Sequence, residues 1–233
     1  MELMVKGETL GIERAKERIK KYAFRTEPLH FKAPKGPAYG LEPELPDRPQ
    51  RAYRTFDCVP ADPGRDLTPH DVFLISGING ELNQRRVASA LAVLPAVNNA
   101  LRKINEETKF WRLSRTEIAP EGEPVRGTDA WWMHRAWWLL MGAPDIEVTI
   151  THKILHHKRP DVFPLIDRST LAGLGPGRAW LRIHDDLAAT PGAWADLEDW
   201  FEKLAALSEG VSLTRLRLHD ILLWERESPD GSA

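Results

Sequence analysis

The sequence has one cysteine, no long apolar segment and almost no net charge, and each shortage excludes a class of protein. A lone Cys58 cannot form a disulfide within one chain, which is typical of reducing compartments and predicts a cytoplasmic location. The longest apolar run, Ala136 to Ala143, is far shorter than the ~20 residues of a membrane-spanning helix, so no membrane partner is expected. The charged start, Met1 to Lys21, also lacks the apolar core of a secretory signal.

The charges are nearly balanced, because 32 lysines and arginines stand against 34 aspartates and glutamates, for a net charge of −2. Together with a hydrophobic fraction of 42%, this balance excludes a wholly disordered chain. It also argues against a generally basic nucleic-acid coat protein, although it says nothing about a local basic patch.

Proline content and apolar spacing divide the sequence into three regions. Apolar residues at helical spacing predict a helix over residues 8–24, and the proline-rich stretch 25–66 predicts an irregular arm with a short strand over 51–59. From Thr68 onward, capping residues such as Thr68 and Thr128, together with apolar periodicity, predict successive helices. We therefore predict a mainly α protein with an N-terminal helix and Pro-rich arm (1–66), a single orthogonal helical domain (67–226) and a flexible tail (227–233).

The segment from Thr149 to Arg182 is more basic than the rest of the sequence. It holds six lysines and arginines and two aspartates, a local charge of +4. Clustered cations attract phosphates, so one interpretation is a nucleic-acid-binding surface. The other is a solvated helix face followed by a basic loop, and the pattern leaves both open. The candidate phosphate ligands are His156, His157, Lys158, Arg159 and Arg168.

Lys153 and Asp167 are the candidate catalytic residues. Lys153 lies between apolar residues of a predicted helix, and Asp167 follows an apolar stretch at the start of the next helix. In one interpretation both point into a cleft, where a desolvated lysine acts as nucleophile and the aspartate as general base or cation stabiliser. In the other, Asp167 caps a helix and Lys153 extends from an amphipathic helix toward solvent.

Histidines and tryptophans supply two further patterns. His152 and His156 share a helix face and could hold a metal together, but a lone HxxxH is a weak signal, so we predict no metal. Trp131 and Trp138 come from two tryptophan doublets in one predicted helix. Such residues usually pack in a core, whereas stacking on a nucleobase is the functional alternative.

The segment 153–167 resembles the core of a bacterial domain family of unknown function. The shared pattern is K-x4-KRP-x3-P-x2-D, followed by a leucine-rich helix, here LRLHDILLW at 216–224, and the resemblance extends over about residues 51–226. The matching residues are Lys153, Lys158, Arg159, Pro160, Pro164 and Asp167. This resemblance implies a family but no activity.

The chain is also distantly similar to the helix-hairpin-helix DNA glycosylases through FPLID at 163–167. The resemblance implies a glycosylase-like fold in which Asp167 is the catalytic aspartate and Lys153 the nucleophile, cleaving an N-glycosidic bond in a nucleic acid. No cofactor is expected, since one cysteine cannot hold an iron–sulfur cluster. The alternative function is a non-catalytic helical module that binds a nucleic acid or a protein, and the oligomeric state is left open.

Overall fold

The computed structural model describes residues 1–28, 47–49, 52–78, 80–118, 125–175, 178–208 and 210–227, and in these ranges the chain is mainly helical, as predicted. The α-helices are α1 (Ile12–Phe24), α2 (Pro69–Leu74), α3 (Gln84–Leu101), α4 (Arg115–Ile118), α5 (Asp129–Met141), α6 (Val148–Lys158), α7 (Arg168–Leu174), α8 (Ala179–Ala189), α9 (Pro191–Leu207) and α10 (Arg215–Glu227). Two 3₁₀-helices cover Ile75–Ile78 and Phe110–Arg112. None of the described helices combines the length and apolar character that crossing a bilayer requires.

A β-hairpin precedes the first helix, so the predicted helix over 8–24 begins too early. Strands β1 (Glu2–Val5) and β2 (Glu8–Gly11) pair antiparallel. Lys6 and Gly7 have positive φ angles of 57° and 72°, the conformation of a tight two-residue turn. The side chain of Asp186 accepts hydrogen bonds from both turn amides, at 2.5 Å from Lys6 N and 2.8 Å from Gly7 N. This distant carboxylate supports a turn that the local sequence signals only through Gly7.

The strand predicted over 51–59 is wrong, because Tyr53–Asp57 forms a single π-helical turn. Tyr53 and Phe56 are both buried, and residues three apart share one face of a helix but opposite faces of a strand. Gly77 packs against this turn so closely that an added Cβ would lie 2.0 Å from the carbonyl oxygen of Thr55. A second small antiparallel sheet joins β3 (Thr26–Glu27) to β4 (Arg48–Pro49).

Helix starts in the C-terminal half follow the predicted caps. The Thr128 side chain accepts a hydrogen bond from the backbone of Trp131 at the start of α5, and Asp167 does the same for Thr170 at the start of α7. These caps satisfy amides that have no partner inside the helix. They fix where α5 and α7 begin, which positions the residues discussed below.

Helix α6 lies in the middle of the fold, since every residue from Ile150 to Lys158 is buried. The hairpin residues Leu3 and Val5 belong to the same hydrophobic cluster as the later helices. The predicted boundary at residue 66, between the N-terminal arm and the helical domain, stays a prediction. Nearly half of the predicted arm (29–46 and 50–51) and nearly all of the predicted tail (228–233) lie outside the described residues.

Candidate functional site

A pocket of about 160 Å³ opens between α1, α6, α10 and the segment that leads into α7. Five polar side chains line it together with an apolar rim, which suits a small, partly polar ligand. The lining residues are Tyr22, Ala52, Ile78, Lys153, Leu165, Asp167, Arg217, Asp220, Ile221 and Trp224. Both predicted catalytic residues, Lys153 and Asp167, are therefore brought to one pocket from positions 14 residues apart in the sequence.

Lys153 reaches the pocket from the buried helix α6 and is only 5% exposed. Its Nζ donates a 2.7 Å hydrogen bond to the carbonyl oxygen of Ile78. Burial lowers the pKa of this lysine, while the charges of Asp167 and Asp220 offset part of that effect. A lysine with a lowered pKa is neutral more often at physiological pH, and the neutral amine is the nucleophilic form.

Asp167 is both a helix cap and a pocket residue, so the two interpretations of the sequence are not exclusive. Its Oδ1 accepts hydrogen bonds of 2.8 Å from Thr170 N and 2.7 Å from Ser169 Oγ. Over the described residues, its Oδ2 accepts no hydrogen bond, and the side chain is partly exposed. One carboxylate oxygen thus holds α7 in place while the other is available to a ligand.

A buried network of ionisable groups forms the floor of the pocket. Arg217 donates to Asp57 Oδ1 at 2.7 Å, to Asp220 Oδ2 and to the hydroxyl of Tyr22, and that hydroxyl donates to Asp57 Oδ2 at 3.0 Å. Burial raises the pKa of Asp220 to about 7, and the nearby carboxylates of Asp167 and Asp57 add to the rise against the effect of Arg217. The i, i+3 spacing of Arg217 and Asp220 in the sequence already indicates that the two side chains can pair. Nothing in the sequence joins Tyr22 or Asp57 to them.

The predicted phosphate-binding cations do not form one surface. The Lys158 side chain is 1% exposed, and its Nζ is 3.1 Å from Asp71 Oδ2 in a buried ion pair. Arg159 donates to the carbonyl oxygen of Asn105 at 2.8 Å. Arg168 is 79% exposed and forms an ion pair with Glu147. Of these three, Arg168 alone extends well into solvent.

The histidines of α6 are buried and hydrogen-bonded to backbone carbonyls. His156 Nδ1 donates to Phe163 O at 2.7 Å, and His157 Nε2 donates to Val59 O at 2.9 Å. Burial lowers the pKa of His156 to about 3. These two side chains stabilise the fold from inside, which leaves them out of reach of a phosphate.

His152 uses both ring nitrogens in the interior. Its Nδ1 donates to Pro164 O at 2.8 Å, and its Nε2 accepts from the indole of Trp137 at 3.1 Å. Neither nitrogen is left to share a metal with His156. No group of three or more potential metal-ligating residues occurs in the part of the chain that the structure describes.

The tryptophans predicted to stack on a base lie on α5, outside the pocket lining. Trp138 is 65% exposed, while Trp131 is partly buried against the ring of Trp132 at 4.3 Å and lies under Arg135 at 5.6 Å. The aromatic residue that reaches the pocket from the C-terminal half is Trp224 on α10. Its sequence signal is its place at the end of the LRLHDILLW motif.

Comparison with known families matches residues 32–227 to a family described as a family of unknown function, DUF6308. This match confirms the prediction that the chain belongs to a family without an assigned activity. No curated protein and no solved structure matches the chain.

Proposed function

The chain belongs to this family of unknown function, and we propose from its pocket that it cleaves an N-glycosidic bond. The observation that carries the proposal is the meeting of Lys153 and Asp167 in one pocket. A lysine with a lowered pKa beside a carboxylate that is free at one oxygen supplies a nucleophile and a group that stabilises positive charge. Perturbed ionisable groups in a cleft are typical of catalytic sites.

The size of the pocket limits the substrate to about one ring. A dry cavity of about 150 Å³ holds one benzene molecule, and this pocket measures about 160 Å³. It is well below the ~300–1,000 Å³ of sites that enclose whole drug-sized ligands. A substrate would therefore insert a single base or sugar ring. In a duplex this requires the base to leave the stack.

The residues support two routes from the same bound state. In the first, the electron pair of the C1–N bond leaves with the base, Asp167 stabilises the sugar cation, and a water adds at C1 and loses a proton to Asp167. In the second, neutral Lys153 attacks C1 and the base departs with the bonding electrons. A proton then moves from Nζ to the ring oxygen as the C1–O bond breaks and a Schiff base forms, and water later hydrolyses that Schiff base to free the lysine. Reduction by borohydride captures the second route only.

The order of the elements also supports a helix-hairpin-helix arrangement as part of the proposal. Helix α5 ends at Met141, a turn with Asp145 at a positive φ of 63° leads to α6, and an apolar segment then leads to Asp167 and α7. The phosphate contacts expected in such an arrangement rest on exposed Arg168, since Lys158, His156 and His157 are buried. Free nucleosides and nucleic acids are therefore both tested as substrates.

The experiment measures base release and covalent trapping in parallel. Purified protein is incubated with nucleosides, and separately with duplexes that carry uracil, hypoxanthine or an abasic site, with and without borohydride. We expect base release that falls at least ~100-fold in Asp167→Asn and trapping that disappears in Lys153→Gln. The matched control variants are Asp199→Asn and Lys203→Gln. Both replace exposed residues and should retain full activity. No release and no trapped species with any substrate would eliminate the proposed activity.

A non-catalytic binding module is the second candidate, and the exposed indole of Trp138 favours it. A large aromatic side chain at the surface is common at protein interfaces and on single-strand-binding surfaces. Salt dependence separates the two types of partner. A steep fall of log affinity with log salt for an oligonucleotide supports phosphate contacts, whereas no measurable oligonucleotide binding removes the nucleic-acid form of this candidate.

A further inference from the structure

We propose that Asp220 is the general acid of the reaction and donates the proton that the departing base takes with it. This inference rests on the proposed N-glycosidic cleavage and adds a third catalytic residue to it. Asp220 lines the same pocket as Lys153 and Asp167, so all three border the space that a bound ring would occupy. The two carboxyl groups have different roles: Asp220 donates a proton to the base, whereas Asp167 stabilises the positive charge on the sugar.

The balance of charge around the pocket requires one proton more than a fully ionised site holds. Asp167 and Asp220 line the pocket and Asp57 is bound to Arg217 beside them, whereas the neighbouring cations are Arg217 and, when it is protonated, Lys153. The hydroxyl of Tyr22 also faces the group from α1 and carries no charge, because burial raises its pKa well above 10. In a poorly solvated site an excess negative charge is costly, and protonation of one carboxyl removes it.

The hydrogen bonds and the burial of the three carboxyl groups together indicate which of them carries that proton. Asp57 accepts from Arg217 through both oxygens, at 2.7 and 3.1 Å, and from Tyr22 as well. Asp167 accepts a backbone amide and a hydroxyl at its cap. In the described residues, Asp220 has a hydrogen bond from Arg217 at Oδ2 and none at Oδ1. Asp220 thus has fewer donors than Asp57, and unlike the partly exposed Asp167 it is almost fully buried, so burial favours its protonated form against the effect of Arg217.

Two further properties fit the role of an acid. Asp220 is 5% exposed, so its proton is held away from bulk water but next to the ligand space. Its raised pKa of about 7 lies close to neutral pH, where a general acid is most effective. A pair of carboxyl groups with separated environments is the pattern by which one site supplies both an acid and an anion.

Each turnover takes one proton from Asp220 and delivers another to Asp167. The proton of the Asp220 carboxyl moves to a ring nitrogen of the base while the electron pair of the C1–N bond goes to the base, which leaves neutral. Water then adds at C1 and its proton goes to Asp167, and exchange with solvent removes that proton from Asp167 and returns one to Asp220. The net reaction is hydrolysis, and it needs no oxidant, reductant or cofactor.

This assignment predicts the substrate class. A neutral base is a poor leaving group until it is protonated, so the acid matters most for bases such as hypoxanthine. A base that is already cationic, such as 7-methylguanine in its nucleoside, departs neutral without a donated proton. The acid is therefore needed for the first kind of substrate and dispensable for the second.

The test compares Asp220→Asn with the unmodified protein on inosine and on 7-methylguanosine. We expect kcat/KM for inosine to fall ~100-fold or more and that for 7-methylguanosine to fall less than about threefold. Activity on inosine should also decline as the pH rises above about 7, because the protonated carboxyl is the active form. Asp220→Glu, which keeps a carboxyl, should recover part of the inosine activity. Equal losses on the two nucleosides would overturn the assignment and leave a structural role.

A second measurement tests the proton without any substrate. Infrared spectra should show a protonated-carboxyl band that titrates near pH 7, is absent in Asp220→Asn and persists in the control Asp199→Asn. The lack of such a band, or its persistence in Asp220→Asn, would overturn the proposal. Failure of every nucleoside and duplex substrate would instead remove the proposed function, so the two failures are distinguishable.

Discussion

Arg217 donates hydrogen bonds to Asp57 and Asp220 together, so one buried guanidinium serves two carboxyl groups that lie 163 positions apart in the sequence. Its side chain is 4% exposed, as is that of Asp57. The pair joins α10 to the π-helical turn and, through the hydroxyl of Tyr22, to α1. The floor of the pocket is therefore also a joint between the N-terminal and C-terminal parts of the described chain.

Replacing Arg217 with Met should lower the free energy of unfolding by about 3–5 kcal/mol, because it removes the guanidinium that pairs with the buried carboxyl groups of Asp57 and Asp220. Urea unfolding followed by circular dichroism measures the change. Arg182→Met removes an exposed arginine of α8 and should cost less than about 0.5 kcal/mol. A loss at Arg217 no larger than at Arg182 would contradict the buried network.

Lys158→Met should destabilise the protein by a similar amount, about 3–5 kcal/mol, since it strands Asp71 in the core. Adding Asp71→Asn removes the stranded charge but keeps an acceptor oxygen for the amide of Thr68. The double variant should therefore be more stable than the sum of the single effects by about 1–3 kcal/mol. Strict additivity in a double-mutant cycle would mean that the two groups are not paired.

Asp186→Ala should release the N-terminal hairpin from α8. The carboxylate holds the amides of Lys6 and Gly7 and is 2.9 Å from His219 Nε2, so its loss should cost about 2–4 kcal/mol. Hydrogen exchange should show faster exchange at those two amides. The neighbouring Asp185→Ala removes a half-exposed carboxylate that pairs with Arg115, and it should leave their exchange unchanged.

Stability should fall in acid because of His156. Burial lowers the pKa of His156 to about 3 in the folded protein, whereas the unfolded chain binds the proton near pH 6.5. The stabilisation is complete above pH 6.5 and declines as the pH falls toward 3, at up to about 1.4 kcal/mol per pH unit. Asp220, with its raised pKa, acts in the opposite sense between about pH 4 and pH 7.

The contribution of His156 is isolated by a difference between variants. The unfolding free energy of the unmodified protein minus that of His156→Gln should decrease steadily from pH 6.5 to pH 4. The term from Asp220 cancels in that difference. A difference that stays constant over the whole interval would show that His156 is accessible to protons in the fold.

Local signals account for the parts of the fold that sequence reasoning predicted. Thr128 and Asp167 are caps that act within three residues, and the helix boundaries beside them follow from that chemistry. The sequence does not predict the π-helical turn at Tyr53, because a five-residue stretch with two buried aromatic residues is too short for its periodicity to distinguish a turn from a strand. The hairpin was missed because the amphipathic pattern of α1 could be extended backward through β2.

The sequence by itself determined the mainly helical architecture and the identity of Lys153 and Asp167 as candidates, since caps, spacing and residue chemistry are local properties. Only the tertiary structure decided that these two share a pocket with Asp220, that Lys158 pairs with Asp71 in the core, and that Arg159 donates to the carbonyl oxygen of Asn105. The physical reason is that charge is neutralised in space and not along the chain. A basic stretch becomes a surface only if no carboxylate or carbonyl from elsewhere reaches it, and here Asp71 and Asn105 do.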